Sequence, residues 1–278
     1  MIKVEKFKEI KDEVEQAVEE LFEFAKNNQK DKNDYYLFLA NCCYVPKEDD
    51  KIEYIESYSE YVIDYSIDRL IDYDRIKFLT RYIDSYYSFS ELDKTTDELE
   101  AVTIEMMIYT HIWEADNFLK QLKQISNLCL NKEYDWKVKA PNSENGESKQ
   151  KFIREELKDK FKEKGLKIAE VMKKGYRSQL RNAFAHCNYS FFKEERIDLH
   201  NYKPNSYEVK NITFNEWTEY FCYSFLFNYF FLNYFFEERE EIKNEIEVFL
   251  RNKDGEKKKG ILKYNPSNKS FYAKFIEK

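Results

Sequence analysis

Glycine and proline are scarce: the chain has 5 Gly and 4 Pro in 278 residues. Sandwiches, barrels and dinucleotide-binding folds need such residues at their turns and phosphate loops, so a chain this poor in both is steered toward helices. Its 23 Phe, 23 Tyr and 3 Trp supply ample aromatic surface to offset ordering entropy, which excludes a disordered chain. The length suits one large domain or two small ones. Cys42, Cys43, Cys129, Cys187 and Cys222 are too scattered for a disulfide framework and form no CxxC or His/Cys cluster. They read as reduced, buried thiols of a cytoplasmic protein with neither metal nor cofactor.

Charge is distributed unevenly. The formal net charge is −7, yet Lys137 to Arg177 carries 13 Lys/Arg against 7 Asp/Glu, and residues 251 to 278 carry 9 against 3. The first of these segments reads either as a solvated face or as an edge for a polyanion, and the second as a small basic appendage on an acidic body. The first residues, Met1 to Lys6, have no apolar run behind them and so give no secretory signal. The uncharged stretch from Tyr220 to Phe236 is short for a membrane span, contains Ser224, Asn228 and Asn233, and is aromatic throughout. It reads as a buried helix, and no membrane partner is expected.

Along the chain, apolar spacings of three and four predict acidic helices from Phe7 to about Tyr87, through Val14, Val18, Leu21 and later Ile52, Ile55, Tyr58, Val62, Ile67, Leu70 and Ile71. A break at Ser88-Phe89-Ser90 precedes Thr95-Thr96-Asp97-Glu98, a capping-box pattern that opens a long helix to about Leu130. Asn131 to Lys149, with Pro141 and Gly146, reads as an exposed connection, followed by a basic amphipathic helix from about Gln150 to Lys174. A shorter helix spans Tyr176 to about Tyr189, and the alternation from Arg196 around Pro204-Asn205 predicts a hairpin. Thr213-Phe214-Asn215-Glu216 caps the aromatic helix, which runs to about Glu241. The remainder, divided by Asp254-Gly255 and Asn265-Pro266, reads as three short strands.

Candidate chemistry centres on the second-last helix. Only His111, His186 and His200 are present, and His186 stands in the run Leu180-Arg181-Asn182-Ala183-Phe184-Ala185-His186-Cys187-Asn188-Tyr189. Asn182 and His186 share a helix face, the long Arg181 side chain can reach the same end, and Ala183 and Ala185 leave the surface between them open. The bland reading is a histidine at a helix end and a surface arginine. There is no glycine-rich phosphate loop, GxSxG elbow or HExxH helix.

Arg181-Asn182 followed by His186 resembles the R-x4-6-H motif of the HEPN superfamily of metal-independent ribonucleases. The order of elements from Thr95 to Glu241 is similar to that family, and the stretch from Ile112 to Trp136 looks like its phage-defence and abortive-infection members. The resemblance implies an all-α HEPN helical bundle at residues 91–244 with an inserted β-hairpin; it does not explain the N-terminal helical extension (1–90) or the basic β appendage (245–278), which are read from spacing, charge and turns alone. It implies cleavage through 2′-hydroxyl attack, leaving 2′,3′-cyclic phosphate and 5′-hydroxyl ends. His186 would move protons, as an imidazole with an ordinary pKa of about 6.5 can. Arg181 would hold phosphate oxygens and Asn182 would orient one or the other.

A homodimer with a composite site follows from the family pattern, as do an anti-phage toxin's antitoxin or phage-derived trigger. Glu114, beside Trp113, is a candidate to fix Arg181 through an ion pair; a plain surface carboxylate is the equal alternative. Lys173, Lys174 and Arg177, with Arg181, form a candidate RNA-docking strip, and Tyr176, Tyr189 and Phe191 are candidates to stack unpaired bases. The rival reading is a catalytically silent HEPN module that binds a partner protein, RNA or nucleotide.

Overall fold

Helices dominate, as the glycine and proline count dictates, but not alone. The computed structural model describes residues 2–46, 59–65, 73–87, 98–141, 148–193 and 195–276. Ten α-helices are seen among them: α1 (Val4–Asn28), α2 (Asp34–Leu39), α3 (Tyr73–Tyr86), α4 (Glu98–Glu114), α5 (Asp116–Cys129), α6 (Lys149–Lys151), α7 (Asp159–Glu163), α8 (Ile168–Gly175), α9 (Ser178–Ala185) and α10 (Phe214–Glu240). Eight strands, β1 (Cys42–Tyr44), β2 (Tyr61–Ile63), β3 (Tyr189–Phe192), β4 (Arg196–Leu199), β5 (Asn211–Thr213), β6 (Ile246–Arg251), β7 (Lys257–Asn265) and β8 (Ser270–Phe275), form three antiparallel sheets. The expected all-α class is therefore corrected to a mixed one with substantial helix.

The chain divides into two compact units. The first comprises Met1–Glu20, Lys77–Leu119 and Pro141–Phe231; the second comprises Leu21–Ile76, Lys120–Ala140 and Leu232–Lys278. In the first unit the apolar positions of α4, Val102, Met106, Tyr109 and Trp113, are all buried, as are Trp217, Phe221 and Phe225 of α10. Rings do much of the packing: Tyr109 and Phe184 both meet Trp217 edge-on, at 5.2 and 4.8 Å between centroids. Such pairs add about 0.5–1.5 kcal/mol each beyond the area they bury. The three-stranded sheet β3-β4-β5 lies in this unit, with Ile197 and Ile212 paired and buried. Pro204-Asn205 does join antiparallel strands, β4 and β5, while a tighter turn joins β3 to β4.

The second unit holds the C-terminal sheet, β6-β7-β8, with strands where the alternation placed them. Gly255, in the turn between β6 and β7, has φ +80°, a conformation that favours glycine. The other sheet, β1-β2, falls inside a stretch expected to be helical. Strands of three residues are too short to show alternation, and Ile52, Ile55, Tyr58, Ile67, Leu70 and Ile71 lie outside the described residues. The same holds for Ser88-Phe89-Ser90 and the Thr95-Thr96-Asp97 part of the first capping box.

Three other expectations change. The helix expected to run unbroken to Leu130 ends at Glu114 and restarts at Asp116. The expected helix from Gln150 to Lys174 is segmented: α6, a π-helical stretch Phe152–Lys158 and α7 are followed by a turn at Gly165, φ +71°, before α8. The start of the connection after Asn131 is not an exposed loop, because Tyr134 and Trp136 are buried and the Tyr134 hydroxyl donates to the Cys42 carbonyl at 2.6 Å. The second capping box is as expected. Glu216 Oε2 accepts from the Thr213 amide at 2.8 Å, and the Glu216 amide donates back to Thr213 Oγ1 at 3.2 Å.

No described helix is long and apolar enough to cross a membrane. In α10 most of the aromatic run is buried, as are Ser224 and Asn228, while Tyr220, Tyr229, Asn233, Tyr234 and Phe236 are half-buried.

Candidate functional site

The helix α9 carries the Arg181-Asn182-His186 motif, and a short bend after α8 positions it. Gly175 has no room for a side chain, since a Cβ there would sit 3.0 Å from the backbone nitrogen and hydroxyl of Ser224. That closeness lets the Ser224 hydroxyl donate to the Gly175 carbonyl at 2.9 Å while accepting from Trp113 Nε1 at 2.9 Å. The Tyr109 hydroxyl accepts from the Arg177 amide at 2.9 Å, and burial pushes the Tyr109 phenol well above its usual range. α4 and α10 thus hold both sides of the bend from which α9 departs.

At its other end α9 stops sooner than expected. The Asn188 amide donates to the Ala183 carbonyl at 2.7 Å and the Cys187 amide to the Phe184 carbonyl at 3.2 Å, the paired closure of a Schellman motif. Cys187 takes the left-handed position with φ +52°, where glycine is usual. His186 is the C-cap and is exposed. Its amide donates to the Asn182 carbonyl at 3.2 Å, so the two residues are one turn apart, as the spacing implied. Among the described residues neither side chain has a hydrogen-bond or ion-pair partner.

Arg181 is not open to solvent. Its Nη1 donates to Glu114 Oε1 at 2.5 Å, and its side chain is 13% exposed. Of the two readings the sequence left open for Glu114, the ion pair with Arg181 is the one present. Glu114 also binds Lys149, whose Nζ donates to Glu114 Oε2 at 3.0 Å, to the Glu114 carbonyl at 2.8 Å and to Asp116 Oδ1 at 2.9 Å. Burial works against the Lys149 charge, but the bonds to Asp116 and Glu114 outweigh it and lift its pKa.

Beside this cluster Arg181 Nε is buried without a well-aligned hydrogen-bond partner among the described residues, while the Tyr176 hydroxyl lies against the Arg181 guanidinium. Burial raises the Tyr176 pKa, and the Arg181 charge opposes that. Glu114→Gln leaves Arg181 facing a neutral amide and Lys149 with Asp116 as its remaining carboxylate, and should lower stability by about 1–2 kcal/mol in urea unfolding, discounted for its partial exposure. An unchanged midpoint would mean that solvent already screens the pair.

The docking strip is split. Lys173, Lys174 and Arg177 line one groove together, whereas Arg181 is turned to Glu114 and does not line it. Tyr176 is no exposed stacking platform, because it packs on Trp113 with centroids 4.7 Å apart. Tyr189 and Phe191 are half-buried and meet each other edge-on at 5.6 Å, with Phe184 and Phe214 as further ring partners. His200 is exposed, with Nε2 3.0 Å from Ser190 Oγ, and His111 is exposed in the last turn of α4. Sequence reasoning missed Lys149 and Lys6, a further lining residue of the groove. Lys149 closes the predicted connection and could have been flagged as the cation next to the basic helix; Lys6 has no local signal.

Among the described residues no group of three or more His, Cys, Asp or Glu side chains is placed to hold a metal ion. No family model, characterised protein or solved structure matches the chain.

Proposed function

We propose that the chain is a metal-independent endoribonuclease of HEPN type, acting in the cytoplasm as an anti-phage toxin. The observation that supports this best is the contrast within one short helix. Arg181 is locked in place by Glu114, while Asn182 beside it and His186 one turn on present side chains with no partner among the described residues. A fixed guanidinium beside a free imidazole suits phosphoryl chemistry, which needs a stationary cation and a mobile proton carrier.

The step balances without a cofactor. The 2′-oxygen bonds to phosphorus as the bond from phosphorus to the 5′-oxygen breaks; one base takes the 2′-hydroxyl proton and one acid protonates the leaving oxygen. A single imidazole cannot do both at once, so a homodimer bringing two copies of His186 together would supply base and acid. Asn182 would orient the imidazole or the phosphate. Lys173, Lys174 and Arg177 would hold the strand away from the scissile bond, and Tyr189 offers only a half-buried ring edge for stacking. An antitoxin or phage-derived trigger is part of this proposal through the family resemblance alone.

The test is incubation of purified protein with total RNA in EDTA, with fragment ends analysed. Cyclic phosphate and 5′-hydroxyl ends are the expected products. Intact RNA, or 5′-phosphate ends, would sink the reading. The rival, a catalytically silent module, has one observation in its favour: the charge of Arg181 is already answered by a carboxylate.

A further inference from the structure

The groove that gathers Lys173, Lys174 and Arg177 has a volume of about 520 Å³, within the range of small-molecule sites. Its cations are not equivalent. Lys174 donates to Glu13 Oε1 at 2.5 Å and to the Tyr223 hydroxyl at 3.2 Å, and Tyr223 donates to Glu13 Oε2 at 2.7 Å. Burial tends to raise the Glu13 pKa, but these hydrogen bonds outweigh it and hold the carboxyl below its usual range. The charge of Lys174 is therefore answered within the wall.

Arg177 is different. Its guanidinium donates to the Tyr220 hydroxyl at 3.2 Å and the Tyr207 carbonyl at 3.1 Å, both neutral oxygens. Among the described residues it forms no ion pair, so its full charge faces the groove. Lys6 adds an ammonium whose carboxylate partner among the described residues, Glu9, is a loose exposed contact at 3.5 Å. Lys173 is tied, among the described residues, to an exposed carboxylate, Glu170, at 3.1 Å. The same lining holds the aromatic Tyr220, next to Arg177, and the apolar Ile212, with Asn211, Glu216 and Glu219 as an amide and two carboxylates. Cations beside a ring, with hydrogen-bonding groups in the same groove, match a phosphate, a base and the polar groups of ribose and base edge.

We propose that this groove binds a nucleoside phosphate, with its phosphate on Arg177, Lys6 and Lys173 and its base against Tyr220. This deepens the ribonuclease reading by naming what the docking groove holds, one nucleotide unit of a strand. A free nucleotide carries the same chemistry and would occupy it even if the chain cuts nothing.

The experiment is calorimetric titration of the full chain with AMP, with inorganic phosphate as competitor, and separately with a 2′-O-methyl oligouridylate that cannot be cleaved. Wild type, Arg177→Gln, Lys6→Ala and His186→Ala are compared. AMP should bind wild type and His186→Ala alike, be displaced by phosphate, and bind about tenfold or more weakly to Arg177→Gln and to Lys6→Ala. Lys6 is a surface side chain, so that arm reads the groove even if Arg177→Gln disturbs the bend. Oligonucleotide binding that weakens in the same variants assigns the groove to RNA; AMP binding alone assigns it to a free nucleotide. No binding of either, or binding unchanged in both groove variants, overturns the proposal. Cleavage is not read, so absence of ribonuclease activity leaves the result standing.

Discussion

His186→Ala should lower RNA cleavage by about 10²–10⁴-fold, the usual contribution of a positioned proton-transfer group. Its unfolding midpoint in urea should stay close to that of wild type, since exposed side chains away from special contacts change stability by about 0.5 kcal/mol or less. The split follows from where the imidazole sits. It caps α9 through its backbone, which alanine retains, and its ring has no partner among the described residues. Loss of cleavage with retained stability would separate a chemical role from a structural one. A variant that cuts as well as wild type would remove His186 from the reaction and leave the binding-module reading in its place. Asn182→Ala is the companion variant, differing from His186→Ala in that an orienting group is replaced rather than the proton carrier.

Glu105→Gln should remove much of the chain's pH-dependent stability near neutrality. Glu105 is buried, accepting from the Tyr87 hydroxyl at 2.7 Å and from Trp217 Nε1 at 2.9 Å. Burial pushes its carboxyl up to about 7 from an ordinary 4.5, and the two hydrogen bonds only partly oppose this. A carboxyl whose pKa is higher in the folded state binds its proton more tightly there. Its stabilising contribution is whole below about pH 4.5, declines as pH rises, and is lost above about pH 7.

Wild-type stability should therefore fall by about 3 kcal/mol through this group between those limits. A glutamine can accept from Trp217 with its carbonyl and donate to the Tyr87 oxygen with its amide, so both partners stay satisfied without a buried charge. Urea unfolding of wild type and variant at pH 5 and pH 8 gives the answer. The variant should gain on wild type at the higher pH, and parallel profiles would show that the carboxyl titrates normally. Asp34, pushed to about 6 by burial, adds a decline of the same sign that Glu105→Gln leaves in place.

The parts of the fold that were legible carry local signals. Asp254-Gly255 and Asn265-Pro266 mark turns between alternating runs, and β6, β7 and β8 fall between them. Thr213 and Glu216 announce the start of α10 because the capping box is a contact between residues three apart. The motif helix was found, but its end was misplaced by a few residues, because a Schellman closure with cysteine in the glycine position gives no glycine to read. The break between Glu114 and Asp116 has no glycine or proline either, and the π-helical stretch leaves the apolar spacing almost unchanged.

Of the site, the Glu114–Arg181 pair was guessed from residue types, whereas Lys149 as its third member and Lys6 in the groove depend on distant segments meeting. Charge type is written in the sequence; which carboxylate answers which cation is decided by packing.

The break after Glu114 has one more consequence. In an unbroken helix the Glu114 carbonyl would be spent on an amide four residues on; here it is free and accepts from Lys149. It marks the negative pole of α4, where the aligned peptide dipoles amount to about half an electron charge. The Glu114 and Asp116 carboxylates add to that pole, and Arg181 and Lys149 are drawn to it together. The seat of Arg181 is thus a polarised helix end rather than a lone carboxylate, and an incoming phosphate must compete with that whole field for the guanidinium.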